Sequence, residues 1–203
     1  MGLTLITAAT SDPVTKAQVT ALIEGYQSST ANDLVVTDCI ADATAWVQEQ
    51  TRLQLIQATW LQSLGAWPDE LIEFDLRPLI SITNLKYYDV NGSQQTVSSA
   101  DYGTDTYAYR PTLWFKSSFT WPELQLLRPS GIECRFVAGF ADASSVPGSL
   151  KRAIRLLARY WWEKRQAATV PDSQQPTANT NTYGEIPFGV WSIVNNWNAS
   201  GYT

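Results

Sequence analysis

The sequence contains no histidine. Every catalytic scheme that needs an imidazole as base or acid is therefore excluded. Cysteine is nearly absent too: Cys39 and Cys134 lie far apart, each within an apolar pattern, and neither has a Cys-x-x-Cys partner. That spacing supports neither a disulfide framework nor a structural zinc site. The two read as buried, reduced thiols acting as small hydrophobes, which fits synthesis in a reducing cytosol. Glycine-rich phosphate loops are missing, because Gly131, Gly139 and Gly148 stand alone. No stretch of ~18 apolar residues occurs, so no membrane span is expected. The opening Met1-Gly2-Leu3-Thr4 lacks the basic and apolar regions of a secretion signal. Charge is scarce as well, at 16% of residues against the usual ~25%. Such a surface exposes more neutral and apolar area, which suits a protein that meets neighbours.

The remaining chemistry is thin. Asp69, Glu70, Glu73 and Asp75 cluster near one strand, where two alternate residues share a face, yet they read as a solvated edge or turn. Asp101 and Asp105 lack the alternating carboxylates, turn glycine and closing glutamate of a calcium loop. No catalytic, cofactor-binding or metal-ligating residue is assigned, and no cofactor is expected. The net charge of −5 gives no overall pull toward nucleic acid or an anionic membrane.

Periodicity orders the chain. Thr15 and Gln18 form a capping-box pattern, and Val19, Leu22, Ile23 and Tyr26 then share a helical face. A second helix, capped by Asn32 or Asp33, presents Val36, Ile40, Ala43 and Val47. From Gln54 the period drops to two. About six strands are expected, at 55–61, 71–76, 80–90, 94–97, 107–115 and 132–138, with Asn91-Gly92 as a hairpin turn. Val146-Pro147 opens a long helix whose core face is Leu150, Ile154, Leu157 and Trp161. Thr169 to Thr182, rich in Pro, Gln, Asn and Thr, reads as a linker. A short terminal helix around Ile193, Val194 and Trp197 follows it.

The expected fold is therefore α+β. It is a small helical bundle, with helices at about 15–27, 33–50 and 147–166, and an inserted antiparallel β-block at about 54–140. One domain would cover 1–167, and 168–203 would be linker and extended C-terminal arm.

Charge is unevenly placed. Pro147 to Ala167 holds six basic residues and one acidic, while the rest of the chain carries 8 basic against 18 acidic. The Arg152, Arg155 and Arg159 face has three readings: contact with phosphates, contact with an acidic neighbouring subunit, or a solvated face with an internal Arg159–Glu163 pair. Tyr160, Trp161 and Trp162 cannot all face one core, since successive helical residues point about 100° apart. Trp162 is the expected boundary residue.

Several segments resemble the head–tail connector (adaptor) proteins of tailed bacteriophages. They are Phe136-Val137-Ala138-Gly139-Phe140-Ala141-Asp142, Val146 to Ile154, Tyr160 to Ala167, the opening Leu5-Ile6-Thr7 through Pro13-Val14-Thr15, and Ile186-Pro187-Phe188-Gly189-Val190. Their order follows that of the family over nearly the whole chain. The resemblance implies a helical bundle with a β-block, assembled as a homo-oligomeric ring, commonly of twelve subunits. It implies a structural place in the virion neck and no catalysis. The C-terminal segment would reach the portal, with Ile186, Phe188, Val190 and Trp191 as anchors; the alternative for this segment is that it packs back on its own domain. The far side would receive a stopper or tail-terminator protein, and DNA would pass through the channel without sequence-specific binding. Arg152, Arg155, Arg159 and Trp162 become subunit-interface candidates. The competing expectation is a carbohydrate- or surface-binding β module built on exposed Trp and Tyr of residues 54–140.

Overall fold

The computed structural model describes residues 2–69, 71–106, 108–126, 128–167 and 186–199. These fall into two compact units. The first joins the residues up to Ser11 to Arg52–Asp142, and the second joins Asp12–Thr51 to the described residues from Ala143 onward.

The first unit is built of β-strands. A five-stranded antiparallel sheet runs in the order β1 (Gly2–Thr7), β2 (Ala58–Leu64), β8 (Ile132–Ala138), β4 (Leu79–Tyr88) and β5 (Gln94–Thr96). A three-stranded sheet runs β3 (Leu71–Glu73), β7 (Thr112–Phe115) and β6 (Tyr102–Asp105). Strict alternation along β8 sends Ile132, Cys134, Phe136 and Ala138 into the core and leaves Glu133, Arg135 and Val137 on the other face. Ile72 of β3 and Leu113 of β7 join the same core, and the Phe74 and Phe136 rings meet at 4.8 Å. Each such aromatic pair adds about 0.5–1.5 kcal/mol beyond its buried area. The Asn91-Gly92 turn forms as the dipeptide predicts. Gly92 takes φ +78, and the Asp89 carboxylate accepts from the backbone of Asn91 and Ser93, both at 3.0 Å.

Two strands escape the periodicity. In β1 all six residues are exposed, and a bulge between Leu5 and Thr7 breaks the alternation. In β6, Gly103 and Asp105 are residues that strands disfavour. The strand forms where Gly103 lies beneath the Trp114 indole, only 2.5 Å from where a Cβ would sit.

The second unit is helical: α1 (Lys16–Thr20), α2 (Thr30–Thr51), α3 (Gly148–Ala167) and α4 (Phe188–Ala199). The Thr15–Gln18 capping box is present in both directions. Helix α1 is shorter than its apolar spacing predicts. Its end tightens into i→i+3 bonds at Leu22 and Ile23, and Gly25 then turns the chain at φ +65. Helix α2 starts earlier than expected, because the Ser29 side chain accepts from Asn32 N at 3.2 Å and takes the capping role given to Asn32 or Asp33. It ends at Thr51, and the next residue, Arg52, turns the chain at φ 56. Val36, Cys39, Ile40, Ala43 and Val47 of α2 are buried, as are Leu150, Ala153, Ile154, Leu157 and Ala158 of α3. No helix among the described residues is long and apolar enough to cross a membrane.

The Phe-Val-Ala-Gly segment gains a physical reason here. Gly139 ends β8 at φ +119, its amide donates to Pro78 O at 2.9 Å, and an added Cβ would lie 2.7 Å from the backbone of Ile56 and Gln57. Gly139→Ala is expected to destabilise the β-rich unit by about 1–3 kcal/mol from backbone strain alone, with the clash adding to it. A lowered denaturant midpoint checks this; an unchanged midpoint would mean that the crossing relaxes freely.

Candidate interaction surfaces

The arginine face expected on α3 is real. Leu150, Ile154 and Leu157 fix one side of the helix in the core, so residues 152, 155 and 159 are turned away from it. Arg152 is exposed, while Arg155 and Arg159 are half-buried. The Arg155 Nε–H donates to Lys151 O one turn back at 3.3 Å. Arg159 pairs with Glu163 at 2.6 Å, a bond that raises the arginine's pKa and holds its charge. Such a solvent-screened i,i+4 pair contributes little to stability.

The expectations for Trp161 and Trp162 are reversed. Trp162 is 2% exposed, and its ring lies 5.5 Å from Tyr26, whereas Trp161 is only half-buried. The cause is the covering element. Near its end α3 is met by the segment after α1, and Asp33 holds that segment. Its carboxylate accepts from Tyr26 OH, from Ser28 Oγ at 3.2 Å and from Lys16 Nζ at 2.8 Å. Helical spacing from Leu150 could not reveal this cover. Trp162 is thus a core residue, not a boundary residue.

The C-terminal candidates divide. Val190 is fully buried together with Val194 and Trp197, so α4 packs against α2 and α3 of its own unit. The Trp197 Nε1–H donates to Ser149 Oγ at 3.1 Å, and Trp191 meets Trp46 edge-on at 5.3 Å. The described end of the expected arm is thus a docked helix, and Val190 is an anchor to its own chain. Phe188 is 87% exposed and Trp191 37%, with Ile186 half-buried beside them. The expected linker, Thr169 to Thr182, lies outside the described residues.

In the β-rich unit the aromatic richness goes largely into packing. Trp67 contacts Tyr87, Phe115, Phe119 and Trp121 at 5.6–5.8 Å between ring centres, and its indole N–H donates to Pro122 O at 2.9 Å. Glu73 of the acidic cluster pairs with Arg110 at 3.2 Å, while Glu70 lies outside the described residues. Among the described residues no three carboxylates or thiols are placed to hold a metal ion. Burial pushes the Cys134 thiol up to about 12, which removes thiolate reactivity. Sequence reasoning also missed an outer surface: Leu3, Leu5 and Ile6 of edge strand β1 are all exposed. Their partial Leu–Thr alternation was the available signal.

Neither a protein-family model nor a curated protein matches the chain. Solved structures do. A chain in the virion of a native gene transfer agent (GTA) particle aligns at TM-score 0.73 and 22% identity, over 97% of this chain and 95% of that one. A chain in the neck of an empty GTA particle, computed with C6 symmetry, gives 0.71 and 23%, over 97% and 95%. A third, in the neck of the native GTA particle computed with C12 symmetry, gives 0.67 and 22%, over 97% and 94%. At these identities what is shared is the fold, and it is shared from end to end.

Two expected outcomes follow from the helical unit. Hydrogen bonds from Lys16 first, then from Tyr26 and Ser28, lower the pKa of Asp33. A depressed carboxyl stabilises above the ordinary carboxylate range and loses that contribution as pH falls through its lowered value. The stability gap between wild type and Asp33→Asn is therefore expected to be full at neutral pH and to close in acid. Denaturation curves at several pH values check it, and a pH-independent gap would remove the carboxylate charge from the account. Val194→Asp, which buries a charge between helices, is expected to release α4 and cost about 3 kcal/mol or more. Helix loss by circular dichroism and proteolysis at the C-terminal segment would report it.

Proposed function

We propose that this chain is a structural neck protein of a tailed phage-like particle: a non-catalytic head–tail adaptor that assembles as a homo-oligomeric ring between the portal and the tail-side proteins. The observation that carries the reading is the end-to-end sharing of fold with chains from GTA particle structures, two of them necks computed with C6 or C12 symmetry. The order of the adaptor-like segments along the sequence supports it independently. A ring of twelve subunits docked under the portal, with a stopper or tail-terminator protein on its far side and DNA passing through unread, is the full form of the proposal. Its place is the virion neck, after synthesis in the bacterial host cytoplasm.

The portal-facing element would be the outer side of α4. Phe188 and Trp191, beside Ile186, present apolar area there, while Val190 holds the helix to its own unit. Apolar anchors laid out on a helix face suit docking into a groove. The carbohydrate-binding alternative leans on exposed aromatics of the β-block. Trp114 and Trp121 are each under half exposed, with one side packed on Gly103 and on the Trp67 cluster respectively.

Native mass measurement and negative-stain imaging of the purified chain, alone and mixed with the portal protein of the same particle, test the reading. Rings or portal-bound collars are expected. Phe188→Ser, at a side chain that is 87% exposed, is expected to weaken docking on the portal about tenfold while the helical signal is kept. A chain that stays monomeric and ignores the portal overturns the adaptor proposal.

A further inference from the structure

The helical unit carries two stripes of opposite charge on different elements. Helix α2 has no basic residue between Thr30 and Thr51. Its Asp38, Asp42 and Glu49 fall at helical spacing on one exposed side, with the small residues Ala41 and Ala45 exposed among them. That side is opposite to Val36, Ile40, Ala43 and Val47, which are buried. Helix α3 carries Arg152 and Arg155 one turn apart, followed by Arg159.

Among the described residues, no ion pair neutralises the Asp38–Asp42–Glu49 stripe or the Arg152–Arg155 pair. The ion pairs among the described residues are Lys16–Asp33, Glu73–Arg110 and Arg159–Glu163. Arg159 is thus already engaged, and Asp38, Asp42, Glu49, Arg152 and Arg155 have no salt-bridge partner among the described residues. Asp38 and Asp42, four residues apart on an exposed side of α2, repel each other. Such an arrangement gains most when an opposite stripe approaches. The spacing fits: at 1.5 Å rise per residue, Asp38 and Asp42 stand about 6 Å apart along the axis, and Arg152 and Arg155 about 4.5 Å, a difference that long arginine side chains absorb.

We propose that the acidic stripe of α2, Asp38, Asp42 and Glu49, docks on the Arg152–Arg155 stripe of a second copy of this chain. The inference rests on the ring reading above and names the faces that would form it. Because the stripes lie on different helices, each copy offers one of each, as a head-to-tail contact that closes into a ring requires. The charges set register and exclude wrong pairings, since like stripes repel. Ala41 and Ala45 allow the partner helix to approach closely.

Charge reversal of the full chain tests this. One variant carries Arg152→Glu and Arg155→Glu, a second carries Asp38→Lys and Asp42→Lys, and a third carries all four changes. Arg152, Asp38 and Asp42 are exposed and Arg155 is half-buried, all outside the core, and circular dichroism checks that each variant folds. Self-association is read by native mass and sedimentation at low salt, alone and on the portal protein. The wild type is expected to assemble, and each two-residue variant to associate about a hundredfold more weakly. The four-residue variant, and an equal mixture of the two two-residue variants, are expected to recover assembly. High salt is expected to weaken all of these assemblies. If the two-residue variants assemble as the wild type does, the stripes are not the interface and the ring reading stands without them. If the wild type itself forms no ring or collar, the ring reading fails, and the proposed contact fails with it.

Discussion

Burial of the inward side chains of β8, and of the apolar stripe of α3 that follows it in sequence, is the constraint on which both units depend. β8 lies at the centre of its sheet, pairing with β2 on one side and β4 on the other over its whole length. α3 is met by α1, α2 and α4. Each element therefore supplies the surface on which the rest of its unit condenses. A residue fully buried on such an element contributes about 1.5–3 kcal/mol from its side chain alone. The segments that resemble adaptor proteins most closely fall largely on these two elements, so much of that resemblance is a requirement of folding.

The sequence was most legible where one simple period ruled. β8 spans Ile132–Ala138 as its alternation predicts, because it is paired on both sides and its inner face is uniformly buried. The capping box at Thr15 and the hairpin at Asn91-Gly92 are local chemistry, complete within a few residues, and both are found. Legibility failed where a distant group set the outcome. β6 depends on Trp114 lying over Gly103, and β1 is an edge strand with a bulge and two exposed faces. At Trp161 and Trp162 the helix period was right about spacing, but the cover came from Tyr26, fastened through Asp33.

The candidate surfaces show the same division. The Arg152–Arg159 face could be read directly from composition and spacing. The fate of the C-terminal segment could not. Its placement rests on Val190, Val194 and Trp197 burying against helices far earlier in the chain, and on a Trp197–Ser149 bond spanning 48 residues. An amphipathic pattern states that a helix has an apolar side, not which partner will cover it. Here its own chain covers one side, and Phe188 stays outside.

The two cysteines, which first served only to exclude chemistry, are divided between the units. Cys134 sits in the sheet core and Cys39 in the helix bundle, both buried and neither in a disulfide. Neither thiol can meet a reagent until its own unit opens, and each unit holds a single one. The molecule thus carries one chemical clock in each half. Their separate rates of modification would distinguish a chain that opens as a whole from one whose sheet and bundle come apart independently.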